Sequence, residues 1–237
     1  MTDVAPGLIL QHAHTGPPGR LGAWADDRGV PYEVARSWES LPDDPADYGW
    51  IASLGSAHSA NATDPEWIAA EISLLGRAVA AEVPVLGLCW GGQALSVALG
   101  GSVGPAPAHE KGWLAIVSVD PAIPAGPWLH YHTEIFTVPD GAVELARSPA
   151  GPAAFRSGPH LGLQFHPEAD GEMAHVWAAK DPDQTERSVA ELDAESERWD
   201  APAGTLAEQL FDAWWTGVAS RATSARAATP QASGPPR

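Results

Sequence analysis

Cysteine is almost absent from this 237-residue chain, Cys89 being the only one. A single thiol forms no internal disulfide, which excludes a disulfide-stapled secreted scaffold and leads us to expect a reducing, cytoplasmic setting. Positive charge is scarce as well: 13 Lys and Arg stand against 30 Asp and Glu, a formal net charge of −17. A surface of that sign repels polyphosphate and anionic lipid instead of exchanging counterions with them, so neither nucleic acid nor a membrane is an expected partner. No apolar run reaches the length that spans a bilayer. The opening MTDVAPGLILQHAH lacks the basic and apolar regions of an export signal.

What is present suits one α/β domain. Hydrophobic residues make up 44% of the chain, enough to fill a core of that size. The 24 glycines and 23 prolines are scattered between patterned segments and punctuate them. Short apolar strands are expected at 7–11, 32–38, 48–55 and 83–89, with helices at 20–29 and 63–82. In the second of these helices Asp64 would cap, Pro65 would enter the first turn, and Ile68, Ile72, Leu75 and Val79 would line one face. Uninterrupted apolar strands alternating with helices predict a mostly parallel sheet covered by helices on both faces. Strands at 113–120, 128–139, 143–149, 153–158 and 161–168 are separated by Pro, Gly and Asp turns, so hairpins are expected to extend the sheet. A last helix is expected at 205–219. One domain, residues 1–222, is expected in all, with the charged stretch 180–203 as an insertion, either a surface helix pair or a lid, and 223–237 as a disordered tail.

The stretch PVLGLCWGGQALSVALGG (84–101) holds Cys89. A strand that ends in a nucleophile and turns at once into a helix sets that side chain at the carboxyl edge of a parallel sheet, where such folds bind ligands. Gly87 and Gly91 flank the cysteine two residues away on either side, as a sharp strand-to-helix turn requires. The helix expected from near Gly92 aims free N–H groups at the sulfur and favours its anionic form. A thiolate that makes and breaks an acyl bond needs a base, and an imidazole base needs a carboxylate to orient it. LQFHPE, at 163–168, offers both: alternation along a strand would project His166 and Glu168 to one side.

Together GLCWGGQ and LQFHPE resemble the class I, triad-type glutamine amidotransferase domain, over most of residues 7–178. That resemblance implies a flavodoxin-like α/β architecture, with Cys89 as nucleophile, His166 as general base and Glu168 as the group that orients it. It further implies that Gln93 helps hold the substrate and that the Trp90 N–H is one oxyanion donor. The segments SLGSAHSA (53–60), ALGGSV (98–103), HEKGW (109–113) and YHTEIFTVP (131–139) are similar to the family's pocket loops. The family usually has Gly-Gly-Pro where this chain has Gly55-Ser56-Ala57, and the second position commonly supplies the other oxyanion N–H. The implied substrate is glutamine or another γ-glutamyl amide, cleaved through a thioester, with ammonia passing to a separate synthetase. Two other readings are a stand-alone hydrolase of substituted γ-glutamyl amides or hydrazides, and a catalytically silent module of the same fold.

Two histidine pairs, His12 with His14 and His130 with His132, each place two imidazoles on one side of an extended segment. Spacing offers neither pair an obvious third ligand, so they are expected to be hydrogen-bonded loop residues, and neither metal nor other cofactor is expected. His132 and Trp113 are expected near the pocket, with Trp128 at its rim and Trp90 shaping the acyl site. Trp24, Trp67, Trp177 and Trp214 are expected to pack on helix faces. The acidic run 191–200 is expected to be solvated surface.

Overall fold

The computed structural model describes residues 4–182 and 189–228. The chain begins with strand β1 (Gly7–Gln11), helix α1 (Gly19–Asp27), β2 (Tyr32–Arg36), β3 (Trp50–Ser53), α2 (Trp67–Ala80), β4 (Val85–Leu88) and α3 (Trp90–Ala98). There follow β5 (Val103–Leu114), β6 (Val117–Ser118), β7 (Trp128–Phe136), β8 (Val143–Ser148), β9 (Gly151–Ser157), β10 (His160–Leu163), α4 (Gly171–Lys180) and α5 (Val189–Ala228). Eight strands form one sheet in the order β2-β1-β3-β4-β10-β9-β8-β6. The first five are parallel, and β9, β8 and β6 continue the sheet by antiparallel pairing.

Alternation along the central strands feeds two cores. Ile9, Trp50, Ala52, Leu86 and Leu88 face a layer containing Leu21 and Trp24 of α1 and Leu210, Phe211 and Trp214 of α5. Leu8, Leu10, Ile51 and Val85 face the opposite layer, with Ile68 and Leu75 of α2 and Ala94 and Leu95 of α3. Each such fully buried aliphatic or aromatic side chain contributes about 1.5–3 kcal/mol of burial free energy. The result is the α/β architecture expected, a mostly parallel sheet with helices on both faces.

Several expectations need correction. The long strands β5 and β7 do not extend the sheet; they pair with each other as a separate two-stranded ribbon, which also contains HEKGW (109–113), likened above to a pocket loop. Their ribbon packs instead on a third apolar cluster in which Trp113 and Leu129 meet Met173 of α4 and Leu192 and Ala203 of α5. Helix α2 opens at Trp67, with no side-chain cap, so Asp64 and Pro65 lie ahead of it. The segment 205–219 is part of one helix that starts at Val189, contains Pro202 and runs to Ala228, so residues 189–203 are helical and 223–228 are not an unfolded tail. That helix is long because it covers α4 and the ribbon first and the main sheet second, while its charged outer face conceals the repeat. The remainder of the expected tail, 229–237, and positions 183–188 of the expected insertion lie outside the described residues.

Candidate active site

Cys89 sits between the end of β4 and the first residue of α3, with φ 51°. Non-glycine residues avoid this left-handed region unless the surroundings hold them there. Here the surroundings are backbone. The Cys89 N–H donates to the Leu163 carbonyl at 2.8 Å and the Gly91 N–H to that of Leu54 at 3.0 Å. A Cβ at Gly87 would run into the carbonyl of Gly91, and one at Gly91 into that of Ser53, so the two flanking glycines are required by close approach. The turn presents the sulfur in front of the α3 N-terminus, whose first N–H groups have no intrahelical acceptor. Helix α3 begins at Trp90, two residues earlier than expected.

His166 reaches the same place from β10. That strand ends at Leu163, so His166 and Glu168 do not alternate along it as expected; they lie on the turn that follows, with the His166 N–H held by the Leu129 carbonyl at 2.9 Å. The two side chains nevertheless meet, Nδ1 to Oε1 at 2.7 Å, with both residues buried. Nδ1–H donates to the carboxylate, and the ring faces the Cys89 sulfur across the same cavity. Burial works against the imidazolium, but the Cys89 sulfur and the Glu168 carboxylate beside it carry the His166 pKa up to about 10. Helix α1 and its neighbour α5 fix the far side of this turn: the Arg20 N–H donates to the Glu168 carbonyl at 2.8 Å. The Arg20 guanidinium bonds the Ala169 carbonyl and Asp200.

The three side chains open onto a cavity of about 670 Å³. Of the expected substrate residues, Gly55, Ser56, Gln93 and His132 line it. Gly55 lies so close to the His166 ring that a Cβ there would stand 2.7 Å from Cε1. Ser56 replaces a family glycine without backbone strain, since Glu82 and Cys89 are the non-glycine residues with positive φ among those described. Gln93 points its Nε2 at the Glu134 carbonyl, 3.0 Å away, and Gln164 Nε2 stands 3.8 Å from the Cys89 sulfur.

Three tryptophans are placed differently from expectation. The Trp90 ring does not shape the cavity; it is buried against His12 and Trp67, leaving only the backbone N–H for the site. Trp113 is buried beneath α5, its Nε1 donating to Ser196 Oγ at 2.9 Å, and Trp128 stacks on Phe165. Conversely Trp177, expected as core packing, lines the cavity with its ring centroid 4.7 Å from that of His166.

Residues not singled out by the sequence pattern support the loop that carries Gly55. Glu71, fully buried in α2, accepts from Ser37 at 2.6 Å and Ser53 at 2.7 Å and pairs with His12. Burial pushes its carboxyl up, but His12 and the two hydroxyls outweigh that and hold it below the usual carboxylate range. A glutamate on the apolar stripe of α2, between Ile68 and Leu75, is the signal that was available. The first histidine pair is split, His12 bonding Glu71 while His14 lies edge-on to Trp38. The second pair meets Glu110.

Comparison with known proteins agrees with this geometry. Residues 59–176 match the family model Glutamine amidotransferase class-I. A crystal structure of a glutamine amidotransferase from Methylobacillus flagellatus superposes with TM-score 0.83 at 28% identity, covering 91% of this chain and 96% of that one. GMP synthase (glutamine-hydrolysing) of Thermomicrobium roseum is 43% identical over 94 residues, 36% of this chain and 18% of the relative. The Helicobacter pylori enzyme of the same name is 30% identical over 154 residues, 60% of this chain and 28% of the relative. The chain thus matches less than a third of the length of these curated relatives.

Proposed function

Because this chain carries a class I glutamine amidotransferase domain, we propose that it hydrolyses the side-chain amide of glutamine through a thioester on Cys89 and delivers the ammonia to a separate synthetase. The reading rests above all on the His166 ring, hydrogen-bonded to Glu168 and lining one cavity with Cys89. The thiolate attacks the amide carbon, and the oxyanion is met by the N–H groups of Trp90 and Ser56. As the tetrahedral adduct collapses, the C–N bond breaks and the His166 proton leaves with the nitrogen as ammonia. Water, deprotonated by His166, then attacks the thioester; the C–S bond breaks, glutamate departs and the thiolate is restored. Glu168 keeps the ring oriented throughout and takes no proton. The acceptor enzyme would dock over the cavity mouth, in the cytoplasm. The names of the relatives make an amination of a nucleotide the first acceptor reaction to try.

The size of the cavity favours one second reading. At about 670 Å³, with Tyr131, Lys111 and Asp181 among its lining residues, it has room for a γ-glutamyl amide with a substituent on nitrogen. Purified protein given glutamine, and separately γ-glutamyl amides, separates the two. Glutamate release from glutamine that disappears in Cys89→Ala supports the first; release from substituted amides alone supports the second. No release from either, with no labelling of Cys89, would leave a silent module.

A further inference from the structure

Glu110 and His132 are direct partners across the β5–β7 ribbon, and His130, two residues before His132, faces Gly112. With a period of two along each strand, all three side chains stand on one face. His130 Nδ1 and His132 Nε2 each lie 3.0 Å from Glu110 Oε2, and 3.4 Å from each other. Metal–nitrogen and metal–oxygen bonds of about 2.1 Å set adjacent ligands about 3.0 Å apart in an octahedron and about 3.4 Å apart in a tetrahedron. The observed triangle spans the same interval.

Hydrogen bonding alone does not satisfy this group. His132 Nδ1 lies 3.1 Å from the Glu134 carbonyl, which accepts only an N–H, so in the neutral ring Nε2 presents a lone pair to the others. One proton on His130 Nδ1 faces two acceptors, Glu110 Oε2 and His132 Nε2, and cannot satisfy both, while His130 Nε2 is buried without a hydrogen-bond partner. Buried lone pairs set against one another in that way are costly. Meanwhile Glu110 Oε1 accepts from the Ala150 N–H at 2.9 Å, which fixes the carboxylate with its other oxygen toward the two rings. Outer hydrogen bonds of this kind orient the ligands of metal centres.

We propose that Glu110, His130 and His132 bind a divalent transition-metal ion, zinc being the first candidate for a donor set of two imidazoles and a carboxylate. All three residues are buried, so the role is structural. The ion clips β5 to β7 and so holds the cavity wall that Glu134 supplies to Gln93 and, through its carboxylate, to Ser59 at 3.0 Å.

The test uses the Cys89→Ala chain, because a thiolate beside an imidazole would itself trap zinc. The chelator-stripped protein is dialysed against zinc, and bound metal is counted by mass spectrometry; cobalt(II) then reports coordination through its visible absorption. The expected result is one zinc per chain, a cobalt spectrum of a protein-bound site, and affinity about 100-fold weaker in Glu110→Gln and His130→Gln. If the substituted chains fail to fold, stoichiometry and the cobalt spectrum of the parent decide alone. No stoichiometric zinc in the parent, or binding untouched in folded variants, would overturn the proposal. Neither readout depends on glutamine turnover.

Discussion

His12 and Glu71 are joined beneath the loop that carries Gly55: Nε2 lies 3.0 and 2.9 Å from the two carboxylate oxygens, while Nδ1 lies 3.1 Å from the Gly55 carbonyl. Both ring nitrogens therefore face acceptors, and neither side chain reaches solvent. A buried pair of this kind ties the Gly55 loop at the cavity to helix α2. Glu71→Gln removes the charge and replaces one of the two acceptor oxygens by an NH2 donor facing a serine hydroxyl and the ring, and we expect unfolding in denaturant to show a loss of about 3–5 kcal/mol. The pH dependence follows from the depressed carboxyl. Its contribution is complete above the ordinary carboxylate pKa and is lost as pH falls below that toward the folded value. Acid unfolding should accordingly be less steep in Glu71→Gln than in the parent.

The raised pKa of His166 gives a second prediction. With its value near 10, the ring keeps both protons as pH climbs through the ordinary histidine range and loses one only toward pH 10. Nitrogen chemical shifts of labelled His166 should follow that course. In Cys89→Ala the sulfur no longer opposes burial, and the titration should move down.

Gly55→Ala tests the contact between the loop and the ring. The added methyl would stand 2.7 Å from His166 Cε1, so loop or ring must shift. Displacements of this size in a reacting constellation cost about 100-fold. Glutamate release should fall by that factor while circular dichroism remains that of the parent.

Trp177 bounds the site on the other side of the His166 ring and donates Nε1 to the Thr15 carbonyl at 2.7 Å. Trp177→Phe keeps the flat wall and should retain most activity. Trp177→Ala admits water and frees the ring, and steady-state kinetics should show kcat lower by about tenfold with a raised KM.

How much of this was visible beforehand follows from which constraints are local. The turn around Cys89 was legible because its requirements, glycines at 87 and 91, lie within two residues of the sulfur. The apolar runs of β1 and β4 were legible because both their faces are buried. The ribbon was not: β5 alternates Gly, Pro and charged residues, and nothing local says that its partner is β7 and not the sheet. Trp177 and Glu71 were misjudged or missed for a related reason. Helical spacing places both on inward faces, but only the tertiary arrangement shows that one faces a cavity and the other a histidine 59 residues earlier. Glu110 was hidden in the same way, 20 residues from His130 in sequence and one ribbon width away in space.

The proposed reaction requires Cys89 to take up the γ-glutamyl carbon, and a diazoketone analogue of glutamine examines that step directly. Peptide mass spectrometry should find one adduct per chain, on Cys89, accumulating in step with the loss of glutamate release and absent from His166→Asn. An unlabelled Cys89, or glutamate release that survives its complete modification, would contradict the account.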